Sequence, residues 1–140
     1  MPVLKITIYG DPQPQGSMKA FTPKGARFPV LTSDNTKLKP WRQQVSMTAL
    51  AEMNAQGVSM ILRPDPVNVT VTFYFDRPKS VKKSAAKITK PDLDKLLRGT
   101  LDGLKGIAYE DDAQVTDSAQ KKRYGSPARA EIVLDLASTE

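Results

Sequence analysis

The segment from Lys90 to Val115 constrains the fold of this chain more than any other part of its sequence. It reads KPDLDKLLRGTLDGLKGIAYEDDAQV, with an Asp-x-Asp pair at its start and Glu-Asp-Asp near its end. Between these acids, leucines recur at helical spacing and predict an amphipathic helix over about 93–105. Gly106 is placed to end that helix as a C-terminal cap.

Alternation of apolar and polar residues predicts strands over 4–9, 67–75 and 131–136. A less regular strand runs from Val115 toward Tyr124, and a second amphipathic helix spans about 40–55. These elements predict an α+β fold: one domain over residues 1–140, with a small mixed β-sheet, two α-helices and the order β-α-β-α-β-β.

Two other segments are strongly basic. A Pro- and Gly-rich loop is expected over 10–39, and loops of this length are often functional. Residues 19–42 carry six basic side chains against one acid, and residues 77–90 carry six and no acid. Such runs are usually solvated faces, but here they favour phosphate contact, which gives salt-dependent and sequence-independent affinity for DNA. The candidate DNA-binding residues are Lys19, Lys24, Arg27, Lys79, Lys82, Lys83, Lys87 and Lys90.

The absence of cysteine and histidine excludes several classes of site. Disulfides, thiolate nucleophiles, cysteine- or histidine-ligated zinc and histidine-based hydrolases all need residues that this chain lacks. Hydrolytic chemistry is left to carboxylates, Lys, Arg, Tyr or a metal with oxygen ligands. A formal net charge of +6 fits a nucleic acid or another anionic partner. No apolar run approaches the ~20 residues of a membrane span and no secretory signal is visible, so a cytoplasmic location is expected.

The spacing of the first acid pair depends on where the helix begins. Within a helix, Asp92 and Asp94 would be turned about 200° apart and could not share an ion. If Asp92 is the N-cap, the local chain is extended and the two side chains share a face. Pro91 favours this second arrangement, because it biases Lys90 away from helical geometry.

Asp112 is expected to join this pair through an extended return of the chain. The helix is about 20 Å long, and an extended 106–112 segment covers roughly 23 Å. Asp102 lies about 15 Å further along the helix than Asp92 and is therefore a poor ligand for the same ion.

These acids also have a structural interpretation, which the spacing leaves open. Asp92 and Asp94 could cap the helix and complement its dipole, and residues 110–112 could form a solvated turn. Arg98 lies four residues after Asp94, so it either makes a helix salt pair or contacts the scissile phosphate. Lys95 has the same two interpretations.

The run from Lys90 to Val115 resembles the signature of the RusA family of Holliday junction resolvases. These are small endodeoxyribonucleases common in phages and prophages. The resemblance implies a homodimer that binds branched, four-way DNA and nicks opposing strands symmetrically, with Mg²⁺ or Mn²⁺. It implies Asp92, Asp94 and Asp112 as the metal-binding catalytic acids, with Asp111 as a secondary ligand.

The chain departs from the family pattern at two positions. The motif usually has Asn directly after its second Asp and Lys four residues after it, where this chain has Lys95 and Arg98. Arg98 keeps the positive charge but not the compact geometry of lysine. The two rival interpretations are a broader nuclease acting on forks, flaps or Y-shaped DNA, and a non-enzymatic DNA-binding protein with structural acids.

Overall fold

The computed structural model describes residues 3–16, 18–33 and 35–139, and in 18–21 and 30–33 it describes the backbone alone. The predicted α+β fold is confirmed. The main strands are β1 (Leu4–Tyr9), β4 (Val67–Phe75), β5 (Val115–Tyr124) and β6 (Arg129–Leu136). The helices are α1 (Leu38–Gln56) and α2 (Leu93–Leu104). In the described part of the chain, no helix is long and apolar enough to cross a membrane.

The prediction of one long loop over 10–39 was wrong in part. This segment contains a short antiparallel hairpin of β2 (Met18–Phe21) and β3 (Val30–Ser33), and α1 begins at Leu38. The prolines and glycine between 22 and 29 form the connection of this hairpin. Turn residues mark hairpin connections as readily as loops, and strands of four residues are too short to show a clear alternation.

The four long strands form one mixed sheet in the order β1-β6-β4-β5. The pairs β1–β6 and β4–β6 are antiparallel, whereas β4 and β5 are parallel. Parallel neighbours need a crossover connection, and here α2 provides it, so β4, α2 and β5 make a βαβ unit. In such a unit the helix is antiparallel to the two strands, so the N-terminus of the helix lies near the carboxyl ends of the strands.

Both helices lie on one face of this sheet, and the core lies between the two layers. α1 contributes Trp41, Val45 and Ala49, which lie on one helical stripe and are buried. α2 packs against α1 through its glycines: a Cβ on Gly103 would lie 2.8 Å from Val45 Cβ. The close approach of the helices therefore depends on the missing side chain at Gly103.

Candidate active site

Asp92 is the N-cap residue of α2, as the sequence predicts. Its backbone is extended, with φ −71° and ψ 141°, and its side chain makes no capping hydrogen bond. The carboxylate is 52% exposed and lies 3.4 Å from Lys90 Nζ. Asp94 follows in the first turn and is exposed. Both carboxylates are therefore open to solvent at the same helix end.

A cavity of about 380 Å³ opens beside Asp92. The loop before the hairpin forms one wall, and it is fixed to α2 because Gln15 N–H donates to Lys95 O at 2.9 Å. The volume of this cavity lies in the range of pockets that take small ligands. The lining residues are Pro14, Gln15, Gly16, Lys90, Pro91, Asp92 and Lys95.

The second acidic cluster has a separate partner for each carboxylate. Glu110 lies 3.0 Å from Arg63, and Asp111 lies 3.6 Å from Lys105. Asp112 Oδ1 accepts a hydrogen bond from the Tyr109 hydroxyl at 2.9 Å. The three acids consequently face three different groups rather than one shared centre.

Tyr109 ties Asp112 to the second half of α2. Its ring is fully buried, and its hydroxyl is also within 3.1 Å of Leu101 O. Burial, followed by the negative charge of Asp112, raises the pKa of Tyr109 far above its usual range. The phenol therefore remains a hydrogen-bond donor at any physiological pH.

Asp102, near the C-terminal end of α2, is affected by the charge of Asp112. Burial raises the pKa of Asp102, and the charge of Asp112 raises it further. Arg42, 3.6 Å away, opposes this shift only in part. Asp112 is thus close enough to Asp102 for its charge to disfavour ionisation of Asp102.

Gln114 holds the acidic turn in place, a role that was missed from the sequence. Its exposed fraction is only 7%. Its Oε1 accepts from the backbone N–H groups of Glu110 and Asp111 at 2.8 and 2.9 Å. Its Nε2 donates to Ile61 O and Asp65 O, both at 3.1 Å. A Gln three residues after Asp111 matches the capping-box spacing, a signal that could have identified it.

The expected extended return of the chain to Asp92 was wrong. Residues 106–108 form a turn, with Gly106 N–H donating to Tyr109 O at 2.7 Å. The prediction that Gly106 ends α2 is confirmed: Lys105 is the C-cap residue, and Gly106 follows it with a positive φ of 78°. Asp112 begins a short 3-10 helix (Asp112–Gln114) that leads into β5, so in the βαβ unit it lies at the helix end opposite Asp92.

The distance between the two acidic groups follows from the helix rise. Leu101 is nine residues beyond Asp92, which is about 13–14 Å along the axis. Asp112 is linked to Leu101 through the Tyr109 hydroxyl. In the part of the chain that the structure describes, no three acidic side chains converge closely enough to hold a metal ion.

The acidic residues have the oxygen ligands that a hard divalent ion prefers, but three of them are not arranged around a single ion site. Magnesium prefers oxygen ligands at 2.0–2.1 Å and is often bound by only one or two carboxylates, with water and phosphate oxygens completing its shell. The exposed pair Asp92 and Asp94 meets that requirement. A single ion shared with Asp112 does not fit this arrangement, so the role of Asp112 and Asp111 stays a prediction.

The basic residues predicted to contact DNA differ in their surroundings. In the segment after β4, Lys79, Lys82, Lys83 and Lys90 are exposed, whereas Lys87 is half-buried. Burial lowers the pKa of the Lys87 ammonium group. Lys24 and Arg27 are exposed in the hairpin connection, and the side chain of Lys19 lies outside the described atoms.

Arg98 is exposed on α2, between the two acidic ends. One of the two interpretations of Arg98 from the sequence was a salt pair with Asp94 on the helix. Of the ion pairs found among the described residues, none joins these two side chains. The guanidinium group is therefore not committed to Asp94.

Comparison with known proteins identifies the family of this chain. A curated relative, "Uncharacterized protein YqaN" of Bacillus subtilis, is 31% identical over 145 residues, covering 96% of both chains. The family model described as endodeoxyribonuclease RusA matches residues 10–135. This match includes both helices, both acidic groups and three of the four strands of the main sheet, all but β1. The chain therefore belongs to the RusA endodeoxyribonuclease family, whose activity is of the Holliday junction resolvase type.

Proposed function

We propose that this chain is a divalent-metal-dependent endodeoxyribonuclease that resolves four-way DNA junctions by paired nicks. Family membership supports the nuclease activity and the branched DNA substrate. The observation that carries the proposal is the exposed pair Asp92 and Asp94 at the N-terminus of α2, inside the family motif. In a chain without histidine, such a pair is the natural place for hydrolytic chemistry.

Asp92 and Asp94 are the residues that would hold Mg²⁺ or Mn²⁺. When bound, such an ion lowers the pKa of a water ligand and stabilises charge on the leaving oxygen, so no histidine base is needed. The extended backbone at Asp92 supports this role, because its carboxylate is not used to cap the helix. Both side chains stay accessible to phosphate oxygens.

Asp112 and Asp111 are proposed as further acids of the same site. In the described arrangement Asp112 is linked through Tyr109 to Leu101, which lies about 13–14 Å along α2 from Asp92, and Asp111 lies 3.6 Å from Lys105, just after the end of α2. For Asp112 and Asp111 to share an ion with Asp92 and Asp94, the acidic turn over 110–112 must move toward the N-terminus of α2 when DNA binds. Arg98, positioned between the two ends, is proposed to contact the scissile phosphate and stabilise its developing charge.

The exposed lysines at 79, 82, 83 and 90 are proposed to contact the DNA backbone, together with Lys19, Lys24 and Arg27. Contacts of this kind fix the position of the duplex but carry no sequence information. A homodimer is proposed as the active form, because two equivalent sites related by a twofold axis suit a junction with two equivalent strands.

The test is cleavage of labelled four-way, fork and linear DNA by the purified protein, with Mg²⁺ and with EDTA. We expect paired nicks in the four-way junction, loss of cleavage with EDTA, and weaker cleavage of the other substrates. Equal rates on the four-way junction and the fork would reject strict junction specificity. No cleavage of any branched DNA with Mg²⁺ or Mn²⁺ would reject the proposal itself.

Asp94→Asn is the critical variant for the site. It removes a carboxylate while keeping the size of the side chain, so we expect cleavage to be lost and junction binding to be kept or improved. Asp117→Asn is the matched control, because Asp117 is exposed on β5, away from the acid pair, and accepts a hydrogen bond from the neighbouring Thr116 hydroxyl at 2.8 Å. Unchanged cleavage by Asp94→Asn would refute the assignment of Asp94.

A further inference from the structure

Two lysine ammonium groups hold the turn immediately before Asp92. Lys122 Nζ donates to the carbonyl oxygens of Thr89 and Pro91 at 2.8 and 2.9 Å. Lys87 Nζ donates to the carbonyl oxygen of the residue between them, and to the Thr89 hydroxyl, both at 2.9 Å. Three successive carbonyls, at positions 89–91, thus accept charge-assisted hydrogen bonds.

Each lysine is itself held by the sheet. Lys122 lies on β5 and pairs with Phe73 of β4 in the parallel register. The Lys87 ammonium group lies 4.8 Å from the ring centre of Phe75 and 5.6 Å from that of Tyr124. Both rings are within the distance at which a cation is attracted to an aromatic face. The turn is therefore connected to the carboxyl ends of β4 and β5.

This geometry leaves little of either ammonium group for DNA. A lysine has three donor hydrogens, and each of these two uses two of them on the same turn. Contact with a phosphate through more than the one remaining hydrogen would require breaking bonds that are stronger than neutral ones, because the donor is charged. Lys87 was predicted from charge alone to bind DNA, and its surroundings argue against that role.

We propose that Lys122 and Lys87 are positioning residues of the acid pair. By fixing the 89–91 turn, they fix the N-cap backbone of Asp92 and hence the direction in which α2 presents both carboxylates. The proposal rests on the proposed function in one respect: the cleavage it predicts depends on the acid pair. Its structural part, the holding of the turn, stands apart from that function.

A positioning role and a DNA-binding role predict different measurements. A lysine that neutralises one phosphate contributes about 0.9 to the slope of log affinity against log salt. A positioning lysine leaves that slope and the affinity unchanged and lowers the rate at saturating DNA. Misplacement of a reacting group by about 1 Å can cost roughly 100-fold in rate.

The variants are Lys122→Met and Lys87→Met, with Lys121→Met as the matched control. Lys121 is adjacent on β5 but exposed on the opposite face of the sheet. Single-turnover cleavage of a four-way junction at saturating protein is measured, together with affinity over a range of salt. We expect a loss of about 10- to 100-fold in rate for the first two variants, an unchanged salt slope, and wild-type turnover for the control.

Native-state trypsin digestion gives a readout without cleavage of DNA. The bond after Lys87 is protected while the Lys87 side chain is held by the two rings and the turn. We expect Lys122→Met to be cut after Lys87 several-fold faster than wild type, and Lys121→Met to be cut at the wild-type rate. Lys87→Met, tested by DNA cleavage, keeps the proposal falsifiable if Lys122→Met fails to fold.

Two results would overturn the inference. One is normal turnover at saturation with a salt slope reduced by one phosphate contact, which would make these lysines DNA-binding residues. The other is wild-type cleavage together with unchanged digestion after Lys87. If the wild-type protein cleaves no branched DNA, the proposed function fails, and the digestion experiment alone decides whether the two lysines hold the turn.

Discussion

Replacement of Gln114 by alanine removes four hydrogen bonds from one buried position. The side chain accepts two bonds from the acidic turn and donates two to the 61–65 segment. A typical hydrogen bond contributes about 1 kcal/mol net, and a buried group left without a partner costs about 1–3 kcal/mol. We therefore expect Gln114→Ala to lower the free energy of unfolding by about 3–5 kcal/mol.

That loss is a large part of the ~5–15 kcal/mol that stabilises a domain of ordinary size. It corresponds to a fall in Tm of about 9–15 °C, at roughly 3 °C per kcal/mol for a chain of this length. Urea unfolding followed through Trp41 measures it, because this is the one tryptophan and it is 3% exposed. A change in midpoint with a constant m-value would indicate lost stability rather than an altered unfolded state.

Thr100→Val is the matched control for this experiment. Thr100 is fully buried, and its hydroxyl has no hydrogen-bond partner among the residues that the structure describes. Its replacement by a side chain of similar shape removes an unsatisfied group, so we expect a neutral or slightly positive effect on stability. A cost below about 1 kcal/mol for Gln114→Ala would refute the view that Gln114 holds the acidic turn.

Two further predictions concern α2. Gly103→Ala should destabilise the protein by about 1–3 kcal/mol, because its new Cβ would lie 2.8 Å from Val45 Cβ and 3.0 Å from Arg42 O; an unchanged urea midpoint would contradict this packing. Asp102→Asn should stabilise the protein at neutral pH, because a raised pKa means that the folded state disfavours the Asp102 charge. The advantage should vanish as the pH falls below the ordinary value of 3.8, where Asp102 is protonated in both states, and urea unfolding at several pH values measures it.

The sequence predicted the elements of the main sheet and both helices well, because alternation and helical periodicity report directly on which faces are buried. It also placed Asp92 at the N-cap, where Pro91 and the preference of Asp for that position agree. It missed the hairpin over 18–33, whose strands are too short to show a pattern. It missed Gln114 although the spacing from Asp111 was visible.

The position of Asp112 was predicted incorrectly for a different reason. Chain length shows only how far a segment can reach, not the path it takes. The parallel pairing of β4 with β5 decides the path, because α2 then runs against the strands and Asp112 lies at the far end of the helix. Lys122 shows the same limit: only the folded sheet reveals that a lysine of β5 contacts the turn before Asp92.

The most direct test of the central claim is cleavage of a labelled four-way junction by wild-type protein and by Asp94→Asn, each with Mg²⁺ and with EDTA. We predict paired nicks only for wild type with the metal, and junction binding by both proteins in its absence. Cleavage by Asp94→Asn at the wild-type rate, or cleavage by wild type that persists in EDTA, would contradict a metal-dependent site at the N-terminus of α2.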